Sequence, residues 1–300
     1  MRQFVKASLA TVVLGAALVF AGTATAGITN TKHFLGAGGT ASDNEVSAGD
    51  NAEICIFCHT PHGGDTGAAV PLWNKVLSTA NFQTYDSLGT STLDAGVVDV
   101  GSVSIACLTC HDGTQAIDNI LNDSGSGGYV ADGGGVDGLG YTWSSTFNTL
   151  DATGTFQNSV DDVGGTNIYE IGTDLRNDHP IGVQYGGGGV KAAITDTRDT
   201  DFTTVSRIGT QNRWYVDNPL SGTKGSFDKW DFKLYTRNTS GVTSRNNVPL
   251  AGEPEPFVEC GSCHDPHLET TTFLRINPAD NTAGARSNSG SAVCLTCHTK

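Results

Sequence analysis

Hydrophobic and polar positions along this 300-residue chain seldom fall into the 3.6-residue rhythm of an amphipathic helix. The one long apolar run, Ala7 to Ala21, follows Arg2 and Lys6 and precedes Ala24-Thr25-Ala26. That layout predicts an export signal over 1–26, with a mature chain from Gly27. The run is too short to span a bilayer, and no other segment offers a spanning apolar stretch. Further along, apolar and polar residues alternate only briefly, in Tyr141-Thr142-Trp143, Arg213-Trp214-Tyr215-Val216 and Phe232-Lys233-Leu234-Tyr235. These predict short strands. Glycine-rich breaks such as Gly125-Ser126-Gly127-Gly128 and Gly133-Gly134-Gly135 predict turns between them. The expected architecture is short β-hairpins with little helix.

Glycine reaches 39 of 300 residues, nearly twice the usual ~7%. Such a chain needs a source of apolar packing other than Leu and Val. The cysteines point to one. All eight fall in four Cys-x-x-Cys-His motifs: Cys55/Cys58/His59, Cys107/Cys110/His111, Cys260/Cys263/His264 and Cys294/Cys297/His298. This is the attachment signature of c-type haem, in which each thiol adds to a vinyl group and the adjacent His reaches the iron. A zinc ribbon has no need of His after every second Cys. Four local disulfides would close tiny loops and tie nothing together. The sequence therefore predicts four covalently bound haem c groups, numbered 1 to 4 in motif order, with a haem-packed core.

The remaining histidines are His33, His62, His179 and His267, one for each iron. The only methionine is Met1, inside the signal. His/Met ligation is thus closed to the mature chain, and bis-His ligation at low potential is expected throughout. A multihaem reductase needs an iron with an open position, and this count leaves none.

The motifs repeat as a lone His, then CxxCHxPH, then CLTCH, twice over. Two dihaem modules follow, 27–115 and 174–300, the second with a β-rich insertion. Between them lies a Gly/Asp-rich insert or linker, 116–173. His62 sits three residues after His59 and so on the same side of haem 1, which assigns it to another iron, with haem 2 nearest in sequence. By the repeat, His267 serves haem 4. His33 and His179 are left to haems 1 and 3. His33 either folds back onto its own chain or, as a short terminal arm, reaches a neighbouring subunit. Pro61 and Pro266 fix φ between the paired histidines.

Signal removal takes Arg2 and Lys6 from the 17 basic residues, leaving 15 against 31 acidic ones, a net −16. That surface disfavours nucleic acid and anionic membranes and suits cationic partners. Asp161-Asp162 lacks EF-hand spacing and reads as a solvated turn. Asn238-Thr239-Ser240 matches a glycosylation sequon by chance.

Several segments together are familiar: Lys32-His33, Cys55 to His62, Pro71-Leu72-Trp73-Asn74, Cys107 to Thr114, Asn177-Asp178-His179-Pro180, Cys260 to His267 and Cys294 to His298. In this order they resemble the exported tetrahaem c-type cytochromes of metal-respiring bacteria, a group that includes OmcE-like subunits of extracellular cytochrome filaments. The resemblance implies a multihaem cytochrome c fold, with low regular secondary structure and short helices at the CxxCH motifs. It implies long-range electron transfer in a homopolymer, with the haem row continuing across subunit contacts to other redox proteins or external acceptors. A monomeric periplasmic shuttle is the alternative. Haem 4 lies two residues from Lys300 and is the expected electron port.

Overall fold

The computed structural model describes residues 27–38, 44–47, 53–93, 95–125, 128–145, 150–157, 169–188, 197–210, 213–218, 225–237, 254–270, 273–276 and 291–300. The expected signal over 1–26, Asp161-Asp162 and the sequon at Asn238 lie outside the described residues. Among the described residues, no helix is long and apolar enough to cross a membrane.

Two antiparallel sheets form. Strand β1 (Asn44–Val46) pairs with β2 (Trp143–Ser145), setting Val46 opposite Trp143. The larger sheet contains β3 (Val183–Gln184), β4 (Ser206–Arg207), β5 (Trp214–Val216), β6 (Phe232–Arg237) and β7 (Glu255–Val258), in the order β3-β7-β6-β5-β4. The two alternating segments at 213–216 and 232–235 pair as expected, with Trp214 opposite Leu234 and Val216 opposite Phe232. The residues facing inward, Trp214, Val216, Phe232 and Leu234, are all buried.

The sheet also clasps the first half of the chain. Val97 bridges Val183, Val98 N–H donates to Gly182 at 2.8 Å, and Gln184 N–H donates to Gly96 at 2.9 Å. The glycine-rich middle is likewise tied back. Ala116 bridges Thr155, and Ala116 N–H donates to the Val136 carbonyl at 2.9 Å.

Helix α1 (Ser102–His111) carries the second motif, α2 (Cys260–Cys263) the third and α3 (Ala292–Cys297) the fourth. The first motif departs from the expected helix. It makes one turn, closed by His59 N–H on the Cys55 carbonyl at 2.8 Å. The backbone then goes elsewhere, because Thr60 N–H donates to Leu72 and Cys58 accepts from Asn74 N–H, both at 2.9 Å. The bridge between His59 and Trp73 takes the groups that a second helical turn would need.

Three buried apolar clusters make the core, and each borders motif cysteines. One gathers Tyr185, Trp214, Val216 and Phe232 against Cys263 and Cys297. The second packs Leu35, Phe57, Ile117 and Phe156 against Cys110. The third sets Trp73, Ile105 and Ala106 against Cys58.

Candidate cofactor site

Strand β7 runs directly into Glu259 and α2, so the large sheet sets the position of the third motif. Glu259 is fully buried and caps α2 in a capping box with Ser262. Its other partners come from elsewhere: Ser104 of α1 donates its hydroxyl to Oε2 at 2.6 Å, and Arg237 at the end of β6 pairs with Oε1. Ser104 Oγ in turn accepts from Cys260 N–H at 2.9 Å. This latch brings the second and third motifs together, and the Cys107 and Cys260 thiols lie within hydrogen-bonding reach of each other. Burial pushes the Cys58 and Cys263 thiols up to about 12.

Histidine geometry decides what the site can hold. His59 faces His267 with ring centroids 6.3 Å apart and planes 17° from parallel. His33 faces His111 at 6.1 Å and 84°. An iron held at about 2 Å from each of two imidazole nitrogens, with each centroid about 1.1 Å behind its nitrogen, separates the rings by about 6.2 Å. Both pairs have centroid separations that match this spacing. Burial first, then the nearby rings of His111, His267 and His264, lowers His33 to about 3, which keeps it a neutral imidazole able to ligate. Burial likewise lowers His111, opposed by its bond to Tyr169.

The ring nitrogens are also sorted. His59 Nδ1 lies 2.8 Å from the Pro71 carbonyl, His111 Nδ1 2.6 Å from that of Tyr169, and His179 Nδ1 3.1 Å from that of Pro180. A carbonyl only accepts, so Nδ1 carries the proton and Nε2 keeps its lone pair for a metal. His267 Nδ1 donates instead to the Asp265 carboxylate at 2.9 Å. Burial alone would raise Asp265, but the bond from His267 and the Arg275 guanidinium beside it hold it down at about 2.

Backbone strain collects at the same places. The non-glycine residues with positive φ are Leu72 at 56°, Ser102 at 53° and Phe273 at 57°. Leu72 follows the Pro71 carbonyl that orients His59, Ser102 opens α1, and the Phe273 ring packs 4.2 Å from His33. Strained residues persist where surrounding structure over-determines them, as at ligand clamps.

Seven of the eight histidines form one network. His59 faces His267, His267 and His111 both act on His33, His264 acts on His111, and His179 is within electrostatic reach of His264 and His298. His62 is the exception. It is exposed, and among the described residues its ring meets no other ring. Two assignments made from spacing differ from this arrangement. His267 stands by His59 rather than at the fourth motif, and His33 stands by His111 rather than at the first motif or outside its own chain. The spacing argument placed His62 and His267 on the proximal side of their own haems. It then chose the iron nearest in sequence, whereas the fold sets the two H-x-P-H segments against each other, with His59 of the first 6.3 Å from His267 of the second. Among the described residues, no three His, Cys, Asp or Glu side chains converge as a bare-ion cage would require.

The paired CXXCH motifs indicate a c-type multihaem cytochrome-like protein, and they imply covalently bound haem. Residues 255–300, which carry the third and fourth motifs, match the family described as the doubled CXXCH motif. That unit is typical of electron-transfer cytochromes. No curated protein matches the chain.

Proposed function

We propose that the mature chain carries four haem c groups, each between two imidazoles, and conducts electrons through them as an exported subunit of an extracellular filament. The observation that supports this best is the two imidazole pairs at 6.3 and 6.1 Å, with Nδ1 of His59, His267 and His111 anchored. When bound, the haem supplies a one-electron Fe(III)/Fe(II) couple. The chain supplies the rest. The eight motif cysteines hold the ring edges, and His59, His111, His264 and His298 ligate from one face. His267 and His33 complete irons 1 and 2, and His179 is the distal ligand nearest the fourth motif. Backbone carbonyls fix the tautomers of His59, His111 and His179, and the apolar clusters pack against Cys58, Cys110, Cys263 and Cys297.

His62 reads in this scheme as the ligand given to a neighbouring copy. It is exposed, lies outside the histidine network, and sits on backbone held by Thr60 and Asn122, each donating to its carbonyl. In this scheme a surface imidazole completes an iron across a subunit contact, and so couples assembly to a full ligand set. The role first assigned to a free His33 arm passes to His62.

Pyridine haemochrome quantitation should give four haems per chain, with low-spin ferric EPR in the assembled form. Negative-stain microscopy of the secreted protein should show filaments, and His62→Ala should abolish them and leave one high-spin haem. Monomers with four low-spin haems, unchanged by His62→Ala, would establish the periplasmic shuttle instead. A high-spin haem in the assembled wild type would favour a reductase.

A further inference from the structure

The two H-x-P-H segments differ at one inner position, Thr60 in the first and Asp265 in the second. The difference changes what each does to its histidine. Thr60 spends its hydroxyl on the His62 carbonyl at 3.0 Å and leaves the ring alone. Asp265 accepts the Nδ1 proton of His267 on Oδ1 at 2.9 Å, while its Oδ2 takes Arg275 Nη2 at 3.1 Å. Arg275 is itself buried and also donates to the Gly261 and Lys229 carbonyls at 3.2 and 2.9 Å. The carboxylate is thus fixed from behind and aimed at the ring. The other rings with an anchored Nδ1, His59, His111 and His179, give their proton to a neutral backbone carbonyl.

We propose that Asp265 is a positioning residue that makes the iron between His59 and His267 the lowest in potential of the set. The argument rests on the reading of His267 as an axial ligand. A carboxylate pulling on Nδ1–H gives the imidazole part of an imidazolate's charge and makes Nε2 a stronger donor. A stronger donor stabilises ferric over ferrous iron and lowers the couple. Arg275 cancels the charge of Asp265 at a distance, so the effect travels through one hydrogen bond and stays at one iron. A field effect would instead reach several irons of the network. The repeat supplies the contrast within one chain, because the threonine segment lacks the device.

The test is a potentiometric titration of the full-length holoprotein alongside Asp265→Asn and Asp265→Thr, the latter installing the residue of the other repeat. Outer partners of ligating histidines change metal affinity by about 10- to 100-fold. A tenfold weaker preference for ferric iron corresponds to about 59 mV for a one-electron couple. The lowest of the four steps should therefore rise by about that much in both variants, with the other three unmoved and all haems low-spin. Four low-spin haems with no step moved, or with several steps moved together, overturn the role of Asp265 and leave the electron-transfer reading standing. A wild-type chain with fewer than four haems overturns both. Should either variant fail to assemble, the unmodified protein still decides. On stepwise reduction, the low-spin signal that disappears last must be the one with imidazolate-like g-values. If that signal disappears first, the proposal is wrong.

Discussion

Replacing Arg237 with Met tests the buried latch that joins the two halves of the chain. The Glu259 side chain is fully buried and that of Arg237 is 18% exposed. Glu259 keeps the Ser104 hydroxyl and the capping bond in the variant, but both donors are neutral. Removing one partner of a buried pair costs about 3–5 kcal/mol, because the other charge is stranded. Arg237 Nη2 also donates to the Asp99 carbonyl at 2.9 Å, and that loss adds about 1 kcal/mol. A loss near 5 kcal/mol with a urea slope of about 3 kcal/mol/M lowers the midpoint by about 1.7 M.

The effect should depend on pH. Burial raises Glu259 in the folded state, against the pull of Ser104 and Arg237. A carboxyl raised on folding stabilises most below its unfolded pKa, and that contribution is lost as pH rises through the folded value. Without Arg237 the folded value rises further, so the loss extends to higher pH. The deficit of Arg237→Met relative to wild type should be largest near pH 7 and shrink toward pH 4, where Glu259 is protonated. Urea denaturation of the holoproteins, followed by far-UV circular dichroism at both pH values, measures it. A deficit below about 1 kcal/mol at pH 7, or one equal at the two pH values, would refute the reasoning.

Two further outcomes are expected. A Cβ at Gly64 would lie 2.8 Å from the Leu72 carbonyl carbon and 2.9 Å from the Trp73 oxygen, both backbone atoms that cannot swing away. Gly64→Ala should therefore destabilise the fold by about 1–3 kcal/mol and shift the spectrum of the haem held by His59, which the neighbouring Pro71 carbonyl orients; an unchanged haem spectrum counts against that link. His33→Ala should turn one haem high-spin in the isolated subunit as well as in any assembly, since His33 faces His111 of its own chain. A high-spin signal confined to the assembled form would contradict this.

The cofactor chemistry was legible in the sequence because covalent attachment demands contiguous residues. Cys55, Cys58 and His59 state their purpose without a fold around them. The hairpin of β5 and β6 was legible for a similar reason, since alternation is a local pattern. Distal ligation was not, because it depends on which segments meet. Nothing local says that residue 267 returns to residue 59. Buried Glu259 gave no signal either, as its partners Ser104 and Arg237 are remote in sequence. Asp265 lay in plain view within Cys-His-Asp-Pro-His, but its difference from Thr60 gained meaning only when a ring nitrogen was found at its carboxylate. The first motif looked helical by analogy with the other three, and its bridge to Trp73 overrode that pattern.

The facing of His59 and His267 has a consequence for how such a molecule is made. If the chain is exported from its N-terminus and His267 serves the iron at His59, as proposed, the first haem is attached long before its second imidazole has crossed the membrane. Until then that iron would be five-coordinate or would borrow a ligand from whatever lies near. Biogenesis would then carry the chain through a reactive interval that ends only when the last motifs arrive. The same exchange means that a gene cut between the repeats would not yield two working halves. The first half would keep His33 and His111 but leave the first iron short of a ligand, and the second would carry an imidazole with no iron to hold. On the proposed ligation, the two similar repeats share a histidine and are inseparable.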